Sequence, residues 1–450
     1  MKFSMARAPL VRHLSVLLLL IALRNPANAS NLETWKANQD AAAKASKLAH
    51  FPEAEKFLLA NKGLAETFSS TEARLPRTVF DLAQVYRPEG KYSDALPLYE
   101  RALQIYVQLY GPESKELADT LDGEGELYKS LNDYVHAEGL LVKSLVMRQN
   151  LLPADSTDVA QSKNDLGEVY TATGAFHKAE PLLMEALADR KKAGAQTPGV
   201  AESLQALGIL YRKTDRVTES ESAFRDAVSI YGKTLGGGHP DYANALENLA
   251  LTCEARREFD TAEPLLYRVL EIRKSVFGPE HRDVAASLDN LAELERLEQK
   301  PQEAAALYEQ AIPLWEKILG PDSPDLAPDL NNLAAIDELD TKREKAEPLF
   351  LRAIALDEKS FDPESPEVGT DLNNLGLLYL LSRRYDDAQR VYQRALAIRI
   401  KAFGESDPAV AETMGGYASA LHGLHRDREA RQMEDRLHAT TTNQGGTPQK

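Results

Sequence analysis

The chain has 450 residues, a formal net charge of −16 and a single cysteine. The acidic balance argues against binding to nucleic acid or an anionic membrane, because both attract basic surfaces, and it favours neutral or basic partners. One thiol cannot form an intramolecular disulfide, so packing must stabilise the fold, and Cys253 is expected to be buried.

The first 29 residues have the pattern of a secretory signal peptide. Basic residues precede an apolar run from Leu14 to Leu23, and Ala27-Asn28-Ala29 supplies the small residues of a cleavage site. The run is too short to span a bilayer, and no later stretch of the sequence approaches the ~18 apolar residues that a span requires. The sequence therefore predicts an exported protein, periplasmic or secreted, that is cleaved near Ala29 and makes no stable membrane insertion. An uncleaved anchor is the alternative.

Two registers of small residues recur along nearly the whole chain, in steps of 41 or 42 residues. In each of ten copies, one small residue precedes the other by 12 positions. Such a period indicates a solenoid, in which each copy is one structural unit that stacks on the next. The later register is Ala54, Ala95, Ala137, Ala179, Ser220, Ala262, Ala304, Ala346, Ala388 and Ala430, and the earlier one is Ala42, Ala83, Gly125, Gly167, Gly208, Ala250, Ala292, Ala334, Gly376 and Ala418.

Each copy is predicted to form two antiparallel helices, called A and B. In the copy that starts at Pro366, apolar residues at helical spacing predict helix A to about Leu381 and helix B to about Ala402. The small residues lie where the two helices cross, because larger side chains there would push them apart. The sequence therefore predicts an all-α solenoid of about ten pairs over residues 30–439, followed by a polar, disordered tail at 440–450.

Some copies depart from the common pattern. Glu295 and Asp337 occupy a helix-A position that is tyrosine in five other copies, and we expect these charged side chains to be partly exposed. Prolines such as Pro97 lie two residues after the helix-B alanine. They are tolerated in a first helical turn, which requires helix B to begin near Asp94.

This helix pair resembles the tetratricopeptide repeat. Its 42-residue form, with Leu-Asn-Asn-Leu at 330–333 and 372–375, Ala-Glu-Pro-Leu at 346–349 and Gly-Pro-Asp-Ser-Pro at 320–324, resembles the repeats of kinesin light chains and their bacterial relatives. The resemblance covers about Leu32 to Ala439 and implies a right-handed superhelix. It also implies that the concave face, lined by the A helices, binds peptides or protein segments.

Asparagines recur on helix A, and their carboxamides can both donate and accept hydrogen bonds to a peptide backbone. Hydrogen bonding between neighbouring helices is the alternative role. A second row, one turn after the small residue of helix A, is basic in the N-terminal half and could orient a carboxylate. Solvated surface charge is the alternative there. The candidate groove residues are Asn164, Asn248, Asn290, Asn331, Asn332, Asn373, Asn374, Arg87, Lys129 and Arg212.

The sequence offers little support for catalysis. His422, His425 and His438 lack the carboxylate or cysteine that would complete a recognised metal-ligand set, so no metal, cofactor or catalytic residue is predicted. The interpretation that remains is a non-enzymatic scaffold that binds a protein or peptide partner. A periplasmic chaperone or assembly factor for envelope proteins is an alternative, and a receptor for a small molecule, lipid or glycan is an alternative of another class.

Overall fold

The computed structural model describes residues 26–69, 72–339 and 342–442. Within these ranges the chain forms twenty α-helices, one 3-10 turn at Pro324–Leu326 and no strand, which confirms the all-helical prediction. The helices fall into two compact units, the first ending at Phe277 and the second beginning at Gly278. In both units, odd-numbered helices are A helices and even-numbered helices are B helices.

The first unit contains α1 (Pro26–Lys47), α2 (Phe51–Ala65), α3 (Arg74–Tyr86), α4 (Tyr92–Tyr110), α5 (Lys115–Ser130), α6 (Tyr134–Leu151), α7 (Thr157–Ala172), α8 (Phe176–Ala193), α9 (Pro198–Lys213), α10 (Val217–Thr234), α11 (Pro240–Ala255) and α12 (Phe259–Phe277). The second contains α13 (Arg282–Leu297), α14 (Pro301–Leu319), α15 (Ala327–Leu339), α16 (Arg343–Ser360), α17 (Pro366–Leu381), α18 (Tyr385–Phe403), α19 (Pro408–Gly423) and α20 (Asp427–Thr442).

Most links between pairs start the next A helix with a polar cap. Ser114 Oγ accepts a hydrogen bond from the backbone N–H of Leu117 at 3.1 Å, which satisfies one of the free donors at the start of α5. His239 Nδ1 accepts in the same way from the N–H of Asp241 at the start of α11. Gly111 ends α4 with φ +86°, a left-handed conformation that favours glycine. The link sequence thus sets where each pair stops and the next begins.

The small residues lie where helices A and B cross. A Cβ atom added at Gly208 of α9 would stand 2.7 Å from the ring of Phe224 on α10, closer than real contacts allow. A Cβ atom added at Gly167 would likewise stand 2.7 Å from the Leu183 side chain. The alanines of the helix-B register, such as Ala137, are fully buried. The role predicted for the two registers is confirmed, because the helices approach too closely for anything larger than a small side chain.

Five copies have a tyrosine at the helix-A position of Glu295 and Asp337, and in three of them the ring packs against a cation five residues later. The Arg384 guanidinium lies 4.2 Å from the ring centroid of Tyr379, a cation–π contact. Glu295 and Asp337 are 1% and 4% exposed, so the expectation of partial exposure is wrong. Their burial is compensated by the equivalent cation, since the Lys300 ammonium lies 3.1 Å from Glu295. An ion pair replaces the cation–π contact in these copies.

The prolines of the B helices lie deeper than expected. Helix α4 begins at Tyr92, so Pro97 is its sixth residue and lies in the second turn. The aromatic residue at the start of helix B, rather than Asp94, is the first helical residue. Pro97 therefore leaves the carbonyl of Ser93 without its usual helical donor, at a position where the preceding turn can still adjust. Pro181, Pro264 and Pro348 are placed in the same way.

The two ends of the described chain can be compared with the predicted signal peptide and the predicted disordered tail. Residues 1–25, most of the expected signal peptide, lie outside the described residues, and α1 begins at Pro26. At the other end α20 reaches Thr442, three residues into the segment expected to be disordered, and 443–450 lie outside the described residues. None of the described helices combines the length and apolar character needed to cross a bilayer. Cys253 is fully buried, as predicted.

We expect Gly208→Ala to lower the free energy of unfolding of the first unit by about 1–3 kcal/mol, because the rigid Phe224 ring must move. Gly139 provides the matched control, since it is exposed on α6 and an added Cβ would meet nothing within 4 Å. Gly139→Ala should be neutral or stabilise by up to about 1 kcal/mol through helix propensity. Urea unfolding of the full chain measures both. Equal effects of the two substitutions would contradict the crossing model.

Candidate functional site

In several copies, one position on helix B carries a residue that contacts the neighbouring A helices. Arg148 of α6 donates to Asp122 on α5 at 3.0 Å and to Ser162 on α7 at 2.7 Å. Its other terminal nitrogen donates to Asp119 of α5 at 2.9 Å. The residue is only 5% exposed, so these are buried, charge-assisted contacts. We call this site on helix B the bridging position.

An arginine recurs at the bridging position in two further copies of the first unit, whereas Tyr106 and Tyr231 occupy it in two others. Arg190 of α8 donates to Ser203 of α9 at 2.6 Å and forms an ion pair with Glu202 at 3.2 Å. Arg273 of α12 pairs with Glu247 of α11 at 2.6 Å. Each guanidinium therefore orients polar side chains on the A helices beside it. These A helices also line the main cavity of the first unit.

A cavity of about 600 Å³ runs along the A helices α3, α5, α7, α9 and α11. Its lining is strongly acidic, and Arg87 is the one basic residue among the described residues that line it. Five successive repeats contribute to this single surface, which is what an interaction groove of a solenoid requires. The carboxylates in the lining are Asp122, Glu126, Asp165, Glu168, Glu202 and Asp241.

Two members of the predicted basic row, Arg87 and Lys129, are paired with these carboxylates. Arg87 lies 3.1 Å from Glu126. The Lys129 ammonium lies 2.7 Å from Glu126 and 2.5 Å from Glu168. Burial alone would raise the pKa of Glu126, but Lys129 and Arg87 outweigh burial and lower it. The groove of the first unit therefore presents carboxylates rather than the net basic surface that the helix-A row suggested.

Three of the carboxylates converge. Oxygen atoms of Asp165, Glu168 and Glu202 all lie within 4.8 Å of one another. Asp165 is 1% exposed and accepts hydrogen bonds from Gln161 Nε2 at 2.9 and 3.1 Å. Burial raises the pKa of Asp165 well above its usual range, and the charges of Glu126 and Asp122 raise it further. The group is close enough to share one cation, whether a metal ion or the ammonium or guanidinium of a partner's side chain.

The asparagines of the first unit form hydrogen bonds within the solenoid. Asn164 is fully buried and its Nδ2 donates to Glu168 at 2.8 Å, which helps to orient that carboxylate towards the cavity. Asn248 Nδ2 donates to the carbonyl of Asn244, and its Oδ1 accepts from Arg212 at 3.3 Å. Arg212 is thereby tied to the next repeat.

In the second unit the asparagines connect helices and repeats. Asn332 Nδ2 donates to the Tyr308 hydroxyl at 3.1 Å, and Asn374 Nδ2 donates to Asn331 Oδ1 at 3.2 Å. Asn373 is buried and accepts from the Thr413 hydroxyl at 2.9 Å. These bonds are what the stacking role predicts, and contact with a ligand stays a prediction. Asn290 is half-buried on α13.

Sequence reasoning did not select the groove carboxylates, although a periodic signal was present. Glu126 and Glu168 are 42 residues apart, and each lies three residues before a member of the helix-A row, Lys129 or Thr171. Their common register could have placed them on the same face as that row. Their proximity to Glu202 and Asp241 depends on how the repeats turn relative to one another, which the period alone does not fix.

Helix pairs that cross at small residues, stack through a bridging position and present one polar groove define an α-helical repeat scaffold. The family model of the tetratricopeptide repeat matches this chain at residues 76–150, 158–233, 211–275, 241–317, 283–359, 326–401 and 367–441. These matches span most of the chain, so it belongs to the tetratricopeptide repeat family. No curated protein matches the chain.

Solved structures of kinesin-light-chain type are among those similar to this chain. A kinesin light chain of Podosopora anserina with nearly identical TPR-like repeats is 24% identical, and the match covers 46% of this chain and 99% of that one at a TM-score of 0.42. BtubC (BKLC) from P. vanneervenii is 22% identical over 55% of this chain and 92% of that one, at 0.38. A Rap protein in complex with competence and sporulation factor is 14% identical over 82% and 100%, at 0.49.

We expect Arg148→Met to destabilise the first unit by about 3–5 kcal/mol, because it leaves the buried Asp122 without its cation. Arg225→Met on α10 is the matched control, since Arg225 is largely exposed and pairs only within its own helix, with Glu221. That change should cost no more than about 0.5 kcal/mol. Urea unfolding monitored by circular dichroism compares the two, and similar losses would show that Arg148 does not bridge the helices.

Proposed function

We propose that the chain is a non-enzymatic scaffold that binds a protein segment in the cavity of the first unit. The segment recognised there carries lysine or arginine side chains. The observation behind this proposal is the carboxylate-lined cavity of about 600 Å³ to which five successive A helices contribute. Membership of the tetratricopeptide repeat family supports a protein partner, and the lining supplies the charge preference.

The arrangement of charges favours a basic segment over an acidic one. Arg87 and Lys129 are both paired with carboxylates, so neither is available to neutralise an incoming anion without losing an existing contact. A partner ammonium or guanidinium placed among Asp165, Glu168 and Glu202 would instead add to the two cations, Lys129 and Arg190, that already face this group of three carboxyls. An acidic ligand would add a like charge to the same enclosed space. Electrostatic complementarity of this kind contributes mainly to specificity and to the association rate.

An extended segment suits the cavity better than a compact small molecule. The lining comes from α3 to α11, so the polar groups are spread along successive repeats rather than gathered around one centre. Glutamines and an asparagine also occur in the lining, at Gln84, Gln161, Gln205 and Asn244. Their amides can bond a peptide backbone irrespective of its sequence. Binding of free amino acids or sugars with the affinity of a peptide would favour the receptor alternative.

The test is calorimetric titration of the full chain with a short peptide rich in Lys and Arg and with its Glu-rich counterpart. The double change Glu168→Gln/Glu202→Gln should weaken binding of the basic peptide by about tenfold, or about 1.4 kcal/mol. Added salt should weaken binding to the unaltered chain because the attraction is screened.

A matched control removes the same charge elsewhere in the first unit. Glu113 and Asp226 are exposed and lie outside the cavity lining, so Glu113→Gln/Asp226→Asn should change the affinity by less than about twofold. Equal losses in both double variants, or equal binding of the two peptides, would contradict the proposal.

We also propose that the chain acts outside the cytoplasm, on the strength of the N-terminal pattern that ends at Ala29. Mass spectrometry of the protein recovered from its native host should give Ser30 as the first residue. The change Ala27→Leu/Ala29→Leu should block this cleavage, because the site needs small side chains. Recovery of a cytoplasmic chain that still begins within the first 29 residues would refute export by this route.

A further inference from the structure

The bridging position changes its chemistry in the second unit. Arg399 of α18 resembles the arginines of the first unit, for its guanidinium donates to the Thr413 hydroxyl of α19 at 2.8 Å. At the two preceding copies the position holds Trp315 on α14 and Asp357 on α16. These two copies therefore lack the buried guanidinium that Arg148 and Arg399 supply. Two copies of the first unit lack it as well, because the buried side chains of Tyr106 and Tyr231 occupy the position there.

The residue that faces the bridging position from the next A helix also differs in these two copies. Fourteen residues after Arg148 and Arg399 come hydroxyl residues, Ser162 and Thr413, which accept from the guanidinium. Fourteen residues after Trp315 and Asp357 come Asp329 and Asp371. At both of these interfaces an aspartate thus stands where Ser162 or Thr413 stands elsewhere, and no arginine at the bridging position balances its charge.

Each of these aspartates meets another carboxyl group. The Asp329 side chain on α15 is hydrogen-bonded to Asp289 on α13, which also accepts from Trp315 Nε1 at 2.5 Å. The Asp371 side chain on α17 is hydrogen-bonded to Asp357 on α16. An ionised carboxylate can only accept, so a hydrogen bond between two carboxyl groups requires a proton on one of them.

We propose that two repeat interfaces of the second unit are proton-dependent: the Asp289–Asp329 and Asp357–Asp371 carboxyl pairs hold neighbouring helices together only while one member of each pair is protonated. Loss of that proton turns each hydrogen bond into a contact between two like charges. Release at these interfaces leaves the neighbouring interface at Arg399 intact, because a guanidinium keeps its charge throughout the accessible pH range.

The surroundings of both pairs favour the protonated form. Burial, followed by the charge of Asp289, raises the pKa of Asp329 to about 8, and burial raises that of Asp289 to about 6. The other groups facing this pair are Trp315 and Tyr308 of α14, neither of them a cation.

At the second pair, burial followed by Asp357 and then Glu367 raises the pKa of Asp371 to about 7. Burial and the charge of Glu367 also raise the pKa of Asp357. The neighbouring charges acting on this pair are thus acidic, and none of them stabilises the ionised form.

The direction of the pH effect follows from linkage. A carboxyl group with a raised pKa binds its proton more tightly in the folded state than in the unfolded chain, where 3.8 is the ordinary value. Its contribution to stability is complete below about pH 4, and it is lost as the pH rises to about 7 at Asp371 and about 8 at Asp329. The second unit therefore loosens at these two interfaces between mildly acidic and mildly basic pH.

Hydrogen–deuterium exchange of the full chain at pH 6 and pH 8, corrected for the intrinsic exchange rate, measures this loosening locally. Amides of α15 and α17 should open at least about tenfold more often at pH 8. The variant Asp329→Asn/Asp371→Asn should lose most of this difference, because an amide donates to the remaining carboxylate without needing a proton. The internal control is α19, which Arg399 holds and which should show similar protection at both pH values in both proteins.

A second variant tests the same idea by restoring a cation. An arginine at position 357 would lie at the same offset from Asp371 as Arg148 has from Ser162, so Asp357→Arg should remove the pH dependence of α17 and leave that of α15. If the asparagine variant does not fold, the proposal is tested with the Asp357→Arg variant alone. The proposal is overturned if α15 and α17 show no greater pH response than α19, or if the response persists unchanged in the folded variants.

Discussion

Close approach of the two helices in each pair is the constraint on which the rest of the structure depends. At Gly208 the backbone of helix A lies so near Phe224 that not even a methyl group fits without movement. This approach sets the angle at which each pair presents its A helix, and so determines which A-helix residues face the groove. The buried bridging residues, such as Arg148 at 5% exposure, can then reach two A helices from one B helix.

The bridging position shows how one geometry supports different chemistry. Where it holds arginine, the A helices carry carboxylates and hydroxyls, and in the first unit this acidic set extends into the cavity. Where it holds tryptophan or aspartate, the opposing residues become carboxyl pairs that need a proton. The first unit thus places carboxylates along its cavity, whereas the second places carboxyl groups at the contacts between its own repeats.

Much of the fold could be predicted from the sequence because the same pattern of residues recurs in each copy and is compatible with one local structure, a pair of antiparallel helices. Small residues twelve apart, link glycines and helical spacing predicted helices A and B at 366–403 to within a residue or two. The net charge of the groove was harder to predict. The row that contains Arg87 and Lys129 shows whether the groove is basic or acidic only if the residues facing this row from other repeats are known. Glu126 and Glu168 cancel those charges through contacts between repeats. The burial of Glu295 could not be predicted from helical spacing either, because Lys300, which compensates its charge, lies beyond the end of α13.

The bridging position also limits how this chain could be rearranged. Where arginine meets a hydroxyl of the next helix, as Arg148 meets Ser162, the contact needs only one residue from each of two copies. Asp289, Trp315 and Asp329 instead form one set drawn from two consecutive copies. A recombination break between Trp315 and Asp329 would leave Asp289 facing an acceptor of another kind. We therefore expect the two copies that share this set to be exchangeable only as a block.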